Sequence, residues 1–245
     1  MSSPQPTVHT VTGPAEHHPD HDSDTDCDVL IAGAGVGGAA LALALVARYP
    51  LRVLVVDRRG GPGNINRGDS LLPAVTAHLR AWGALPAMQA AGARPVDKMQ
   101  VFHHRAGFLF QAPLHGAPLG DIVDPHSRAD DPNGPWRPTS APPYLVLPHP
   151  EIERALLTTA TSPTTAARTG GQARVRYGCR LLDLLRTPDG RVCGAVVQQD
   201  GSPAPVRARL VVGADGSMST VRALLQIPIT HVPYDHGFYI VEASR

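Results

Sequence analysis

The chain's clearest pattern is an apolar block, Cys27-Asp28-Val29-Leu30-Ile31-Ala32, that stops on Gly33-Ala34-Gly35-Val36-Gly37-Gly38. A short continuous apolar run bounded by a turn signal predicts a strand buried on both faces, as in a parallel sheet. From Val36 to about Arg48 alanine and leucine occupy the whole circumference of a predicted helix, the composition of a helix buried against a sheet. A second apolar run, Val53-Leu54-Val55-Val56, ends on Asp57. Strand, glycine turn, helix and strand together predict a βαβ unit.

Farther along, Leu72, Val75, Leu79 and Trp82 have a 3-4-3 spacing that predicts one apolar stripe on a helix from Ser70, stopped at Gly83. Residues 98–111 predict a hairpin turning near Ala106-Gly107. Residues 112–143, rich in Pro, Gly and Asp and without periodicity, predict a long loop. A helix opens at Pro150-Glu151, with proline in its first turn and acids near its positive end. Ala173–Leu185, Val192–Gln199 and Val206–Val212 then predict a three-run β meander, with turns at Pro188-Asp189-Gly190 and Asp200-Gly201.

Composition narrows the class without naming a chemistry. The 245 residues suffice for one large or two small domains, and a net charge of +1 gives no reason to expect nucleic acid or an anionic membrane as partner. No run approaches the roughly 18 apolar residues of a membrane helix, and the N-terminus has no secretory pattern, so a cytoplasmic protein is expected. Residues 1–26 are polar and Pro-rich and predict a disordered leader, although His17, His18 and His21 alternate there with Asp20, Asp22, Asp24 and Asp26. Cys27, Cys179 and Cys193 lack metal spacing and read as packing residues, so no metal site is expected.

The glycine turn carries the first chemical reading. In a Gly-x-Gly-x-x-Gly turn, Gly33 permits the sharp bend, Gly35 lets a pyrophosphate approach backbone, and Gly38 lets the helix pack close. The helix N-terminus then offers N–H groups and a positive dipole end to phosphate. Asp57, 19 residues past Gly38, is placed to accept from a ribose diol, and its charge disfavours a 2′-phosphate. The second reading comes from Leu210-Val211-Val212-Gly213-Ala214-Asp215-Gly216-Ser217-Met218-Ser219-Thr220-Val221-Arg222, where an apolar strand delivers a carboxylate to its tip and Ser217 or Ser219 caps a helix.

Together these motifs resemble the FAD-dependent aromatic hydroxylases, the para-hydroxybenzoate hydroxylase-like flavoprotein monooxygenases. The resemblance covers roughly residues 27–240 and rests most on the Val-Gly-Ala-Asp-Gly-x-x-Ser-x-x-Arg segment. It implies an α/β fold: a Rossmann-like FAD-binding domain, with a parallel sheet and a β meander, plus an incomplete antiparallel substrate-domain sheet. The implied boundaries are 27–97 and 144–230 for FAD, and 98–143 and 231–245 for substrate. Cofactor contacts are expected from Gly33, Ala34, Gly35, Val36, Gly37, Gly38, Asp57, Arg58, Arg67, Asp215 and Gly216, with Arg222 bracing the motif by an ion pair. NAD(P)H is the implied reductant, with O2 and an aromatic small molecule as the other partners.

Because the flavin carries the chemistry, no catalytic acid or base is assigned. His103, His104, Tyr234 and His236 are candidate pocket residues whose simpler reading is an ordinary strand or loop position. His149 stands where relatives usually have arginine, which predicts a weaker or different cofactor contact there. The family's later Gly-Asp segment is not reached before Arg245, which predicts a fragment or truncated product. A reductase or dehydrogenase of the same fold, like the geranylgeranyl reductases, and a non-catalytic nucleotide-binding module are the alternatives.

Overall fold

The first apolar run forms β1 (Cys27–Ala32), with all six residues buried. The computed structural model from which this follows describes residues 25–63, 70–96, 98–103, 105, 107–113 and 144–233. Past the turn comes α1 (Val36–Val46), of which Gly37 alone is exposed, as its all-round apolar composition requires. β2 (Arg52–Asp57) returns parallel to β1, with Val29 opposite Val53 and Ala32 opposite Val56. Leu30, Ile31, Leu43 and Val55 are fully buried, and each stabilises the fold by roughly 1.5–3 kcal/mol.

After residue 70 the elements are β3 (Ser70–Leu71), α2 (Pro73–Ala81), α3 (Leu85–Ala90), β4 (Arg94–Pro95), β5 (Lys98–His103), β6 (Gly107–Pro113) and β7 (Leu145–Val146). They continue with α4 (His149–Ala160), α5 (Pro163–Thr169), β8 (Gln172–Tyr177), β9 (Cys179–Arg186), β10 (Val192–Gln199), β11 (Ser202–Gly213) and α6 (Thr220–Leu224). The main sheet has the order β8-β2-β1-β11-β10-β9, parallel from β8 to β11 and antiparallel beyond. α1 and α4 pack on one face through Leu43, Val46, Ile152 and Leu156. The meander covers the other, with Leu181, Leu184, Ala195 and Val197 against Leu30, Leu54 and Val56. This is the α/β, Rossmann-like arrangement expected, with helices, parallel sheet and meander in three layers.

Four local expectations need correction. The run Ala173–Leu185 is two strands, because Gly178 takes a left-handed φ of +65° and breaks it. β8 therefore leaves the meander and becomes the edge of the parallel sheet beside β2. The stripe on α2 is misplaced: the helix buries Thr76, Ala77 and Leu79, while Leu72 and Val75 are 55% and 40% exposed. Leu72 is only the N-cap, and the buried arc is rotated toward small side chains that allow close approach. Residues 112 and 113 continue β6, and the rest of the expected loop, 114–143, lies outside the described residues. Finally α5, absent from the sequence reading, is capped by Ser162 Oγ, which accepts from Thr165 N at 3.2 Å.

The hairpin is as expected, with His103 opposite Gly107, and forms a separate two-stranded sheet. It exposes Met99, Phe102, Phe108 and Leu109. Among the described residues no helix is long and apolar enough to cross a membrane.

Candidate functional site

Two segments distant in sequence meet at the ends of β1 and β11. Gly33 N–H donates to Val56 O at 2.8 Å, and Ala214 N–H donates to Ala32 O at 2.7 Å, so both turns leave the sheet side by side. Gly33 has φ +104°, and a Cβ there would lie 2.3 Å from Ala214 O. Only glycine satisfies both demands. At Gly38 a Cβ would come within 1.9 Å of Gly33 O, which is how closely α1 sits on the turn. Gly35, in contrast, would present a Cβ to empty space, with nothing within 4 Å.

That space is a cleft of about 410 Å³. Gly33, Gly35, Asp57, Arg58, His149, Asp215 and Gly216 line it. Gly35, the N-cap of α1, supplies no side-chain cap and lines the cleft, whereas Ala34, Val36, Gly37 and Gly38 are not among its lining residues. Polyanion recognition by backbone is what such a terminus can do. Ala34, fully buried, contributes its N–H to Asp57 Oδ2 at 2.8 Å. Val36 and Gly37 stand in the first turn of α1.

Asp57 is more heavily engaged than its sequence position implies. Besides Ala34 N–H, it accepts from Arg59 N–H at 2.8 Å and Nε at 3.1 Å on Oδ1, and from an Arg59 terminal nitrogen at 2.9 Å on Oδ2. Arg59 also pairs with Glu153 on α4, at 3.0 and 3.3 Å. Gly63 N–H donates to the same carboxylate at 3.3 Å. Glu153 is 1% exposed, and these donors satisfy its buried carboxylate. Burial alone would raise the Asp57 carboxyl, but hydrogen bonds from Arg59 and Ala34 outweigh it and hold Asp57 below the usual carboxylate range. The same contact with Asp57, and then Glu153, raises Arg59.

Tyr177, opposite Asp57 across β2 and β8, completes this corner. Its hydroxyl is buried with no hydrogen-bond partner among the described residues, and burial followed by the nearby Glu153 charge pushes the phenol up. Gly178 N–H donates to Arg59 O at 2.7 Å, so the break in the β run also fixes the Arg59 backbone.

Asp215 lines the cleft, but its carboxylate is turned to α6. Oδ1 accepts from Ser219 Oγ at 2.5 Å, and Oδ2 accepts from the N–H groups of Thr220 at 2.6 Å and Val221 at 3.2 Å. Ser219, one of the two expected caps, accepts from Arg222 N–H at 3.0 Å. The sequence reading assigned Asp215 to the cofactor and missed this anchoring role. The expected Arg222 ion pair is absent among the described residues. Arg67, His104, Tyr234, His236 and the leader through Asp24 lie outside the described residues, whereas Asp26, the last acid of that tract, accepts from Arg207 N–H at 2.8 Å. His103, on β5, is not among the residues lining the cleft.

Arg59 and Glu153 were not anticipated. Glu153 left a trace: it shares a 3.6-period stripe with Leu156, Leu157 and Ala160, where a carboxylate has no business unless paired. Cys27 and Cys179 are buried as expected, and burial pushes the Cys27 thiol up to about 11. Among the described residues no cluster of three His, Cys, Asp or Glu is arranged to hold a metal.

A family model described as FAD binding domain matches residues 26–241. Over 53 residues, 22% of this chain and 9% of the relative, the sequence is 43% identical to the 3-(3-hydroxy-phenyl)propionate/3-hydroxycinnamic acid hydroxylase of Mycobacterium sp. (strain JLS). P. aeruginosa PqsL, solved in complex with 2-aminobenzoylacetate, superposes with a TM-score of 0.62 at 27% identity, over 85% of this chain and 48% of that one. Aklavinone-11 hydroxylase, solved with FAD and aklavinone, gives 0.59 at 27% identity, over 83% and 35%. The chain thus spans less than half the length of these relatives. With the glycine turn, its acid and the 213–216 turn gathered on one cleft and the family match running through nearly all of the sequence, this chain belongs to the FAD binding domain family.

Proposed function

We propose that this chain is the FAD-binding portion of an NAD(P)H-dependent flavoprotein monooxygenase that hydroxylates an aromatic or similarly electron-rich small molecule. The observation that carries this reading is the convergence of the 33–38 and 213–216 turns on one cleft, with Gly35, the N-cap of α1, lining it. The residues fit the cofactor. Gly35 leaves room for the pyrophosphate, the first turn of α1 supplies donors, and Asp57 stands beside them for the adenosine ribose. Arg58, Asp215 and Gly216, which also line the cleft, belong to the same proposal. Arg67 belongs to the same proposal from its sequence alone.

Bound FAD supplies the redox chemistry, taking reducing equivalents from NAD(P)H and passing oxygen from O2 to the substrate. The protein's own share is to bind, orient and exclude water. A ring substrate accords with the hydroxylases it resembles, one of which has a hydroxyphenyl compound in its name. In the same reading residues 27–97 and 144–230 hold FAD, whereas 98–143 and 231–245 contribute to the substrate side, which accounts for a hairpin that stands apart from the main sheet with an apolar surface. A cytoplasmic location, with access to NAD(P)H, belongs to this proposal.

The test starts with purification. One equivalent of flavin per chain, by visible absorbance and by quenching of flavin fluorescence on titration, is expected. A colourless chain that binds ADP but not FAD would reduce the reading to a nucleotide-binding module. NAD(P)H and O2 consumption stimulated by phenolic acids, with a hydroxylated product by mass spectrometry, is the activity expected of the full-length protein. Saturation of an alkene without hydroxylation would make it a reductase instead.

A further inference from the structure

The Asp57–Arg59–Glu153 cluster joins the end of β2 to the buried side of α4 and contains one cation between two carboxylates. Its formal charge is therefore −1 beside the place assigned to the adenosine ribose. An arginine next to that ribose is ordinarily the group that accepts a 2′-phosphate. Here Arg59 has no such capacity to spare: its Nε and one terminal nitrogen serve Asp57, and both terminal nitrogens serve Glu153. Arg58 and Arg180 also line the cleft, but both are exposed, where solvent screens them.

We infer that Glu153 is a specificity-determining residue of the adenosine site: by sequestering Arg59 it keeps the ribose corner negative and excludes 2′-phosphorylated adenine nucleotides from the cleft. The inference rests on the proposed FAD site, with Asp57 at the ribose, and adds a residue from a different helix to its selectivity. Glu153 is a positioning residue in this account, since it acts on the nucleotide through Arg59.

Charge counting gives the test its signs. In the wild type the cluster is −1; in Glu153→Gln it is 0; in the Arg59→Met/Glu153→Gln double variant, which removes the cation and the buried carboxylate together, it returns to −1. The flavin-free full chain is titrated calorimetrically at pH 7 with ADP and with 2′-phosphoadenosine 5′-diphosphate, and the ratio of the two Kd values is read. Wild type should prefer ADP at least tenfold. E153Q should narrow the ratio about tenfold, and R59M/E153Q should restore the wild-type ratio, magnitudes set by one charge acting across partly solvated space. A purely structural role for Glu153 would weaken both nucleotides together and leave the ratio unmoved.

An unchanged ratio in E153Q, with wild type still preferring ADP, overturns this inference and leaves the FAD site standing. If E153Q does not fold, a ratio that departs from the wild-type value in R59M/E153Q has the same force. Wild type that binds neither nucleotide, or binds both equally, removes the adenosine site itself and the inference with it.

Discussion

Replacing Gly35 by aspartate should separate binding from folding in a single variant. The position has φ −63° and ψ 175°, extended backbone that any residue adopts, and a Cβ there touches nothing within 4 Å. The new carboxylate stands at the N-cap of α1, which has no side-chain cap. Capping and the helix dipole together favour it by about 0.5–1 kcal/mol, or roughly 1–4 °C in Tm for a chain of this size. The flavin-free protein should melt no lower than wild type. Binding should suffer for the same reason that folding does not: the side chain fills the space the cofactor's pyrophosphate needs and competes for the same N–H groups. One unit charge about 5 Å from another costs about 3 kcal/mol at an effective dielectric near 20, which is more than a hundredfold in Kd before any steric overlap. Thermal unfolding of flavin-free protein and fluorescence titration with FAD measure the two effects. Retention of flavin at the wild-type level would refute the placement of the phosphates over the α1 terminus.

Gly33→Ala should act oppositely, destabilising flavin-free protein by several kcal/mol and lowering its Tm sharply, because its Cβ meets Ala214 O at 2.3 Å with φ at +104°. Asp57, held below the usual carboxylate range, stabilises the fold above its unfolded pKa, and that stability is lost as pH falls through its folded value. Urea denaturation from about pH 6 to pH 3 should therefore show declining stability below about pH 4, with a shallower decline in Asp57→Asn; Asp28, lowered through Arg52 contacts despite burial, keeps a residual slope. Asp215→Ala should cost about 1 kcal/mol in the melt by uncapping α6 and should weaken FAD far less than Gly35→Asp, since it removes a side chain that already points into its own helix.

The parts of this fold that were legible in sequence are those in which one residue type serves a local need. Gly33 and Gly38 are demanded by contacts within the turn and its neighbour, and the two-sided burial of β1 is written as continuous apolar residues. The end of β11 was legible because an apolar strand stopping on Gly213-Ala214-Asp215 has few uses. What stayed hidden depends on partners far along the chain. Arg59 and Glu153 are 94 residues apart, and nothing near Arg59 marks it as different from Arg58. The buried arc of α2 is chosen by what packs against it, so its apolar spacing placed Leu79 and Trp82 correctly but missed Thr76 and Ala77 and included the exposed Leu72 and Val75. The placement of β8 turned on a single glycine inside an otherwise uniform β run.

The 12 residues of β11 join the parallel and antiparallel halves of the main sheet. Its first half, Ser202 to Arg207, pairs antiparallel with β10, and its second half, Ala208 to Gly213, pairs parallel with β1. A slip of one residue would turn inward-facing side chains outward in both layers at once, so neither half can rearrange alone. The amides of Val206, Ala208 and Leu210 should accordingly exchange with solvent only through global opening, making this strand the seam along which the whole molecule comes apart or not at all.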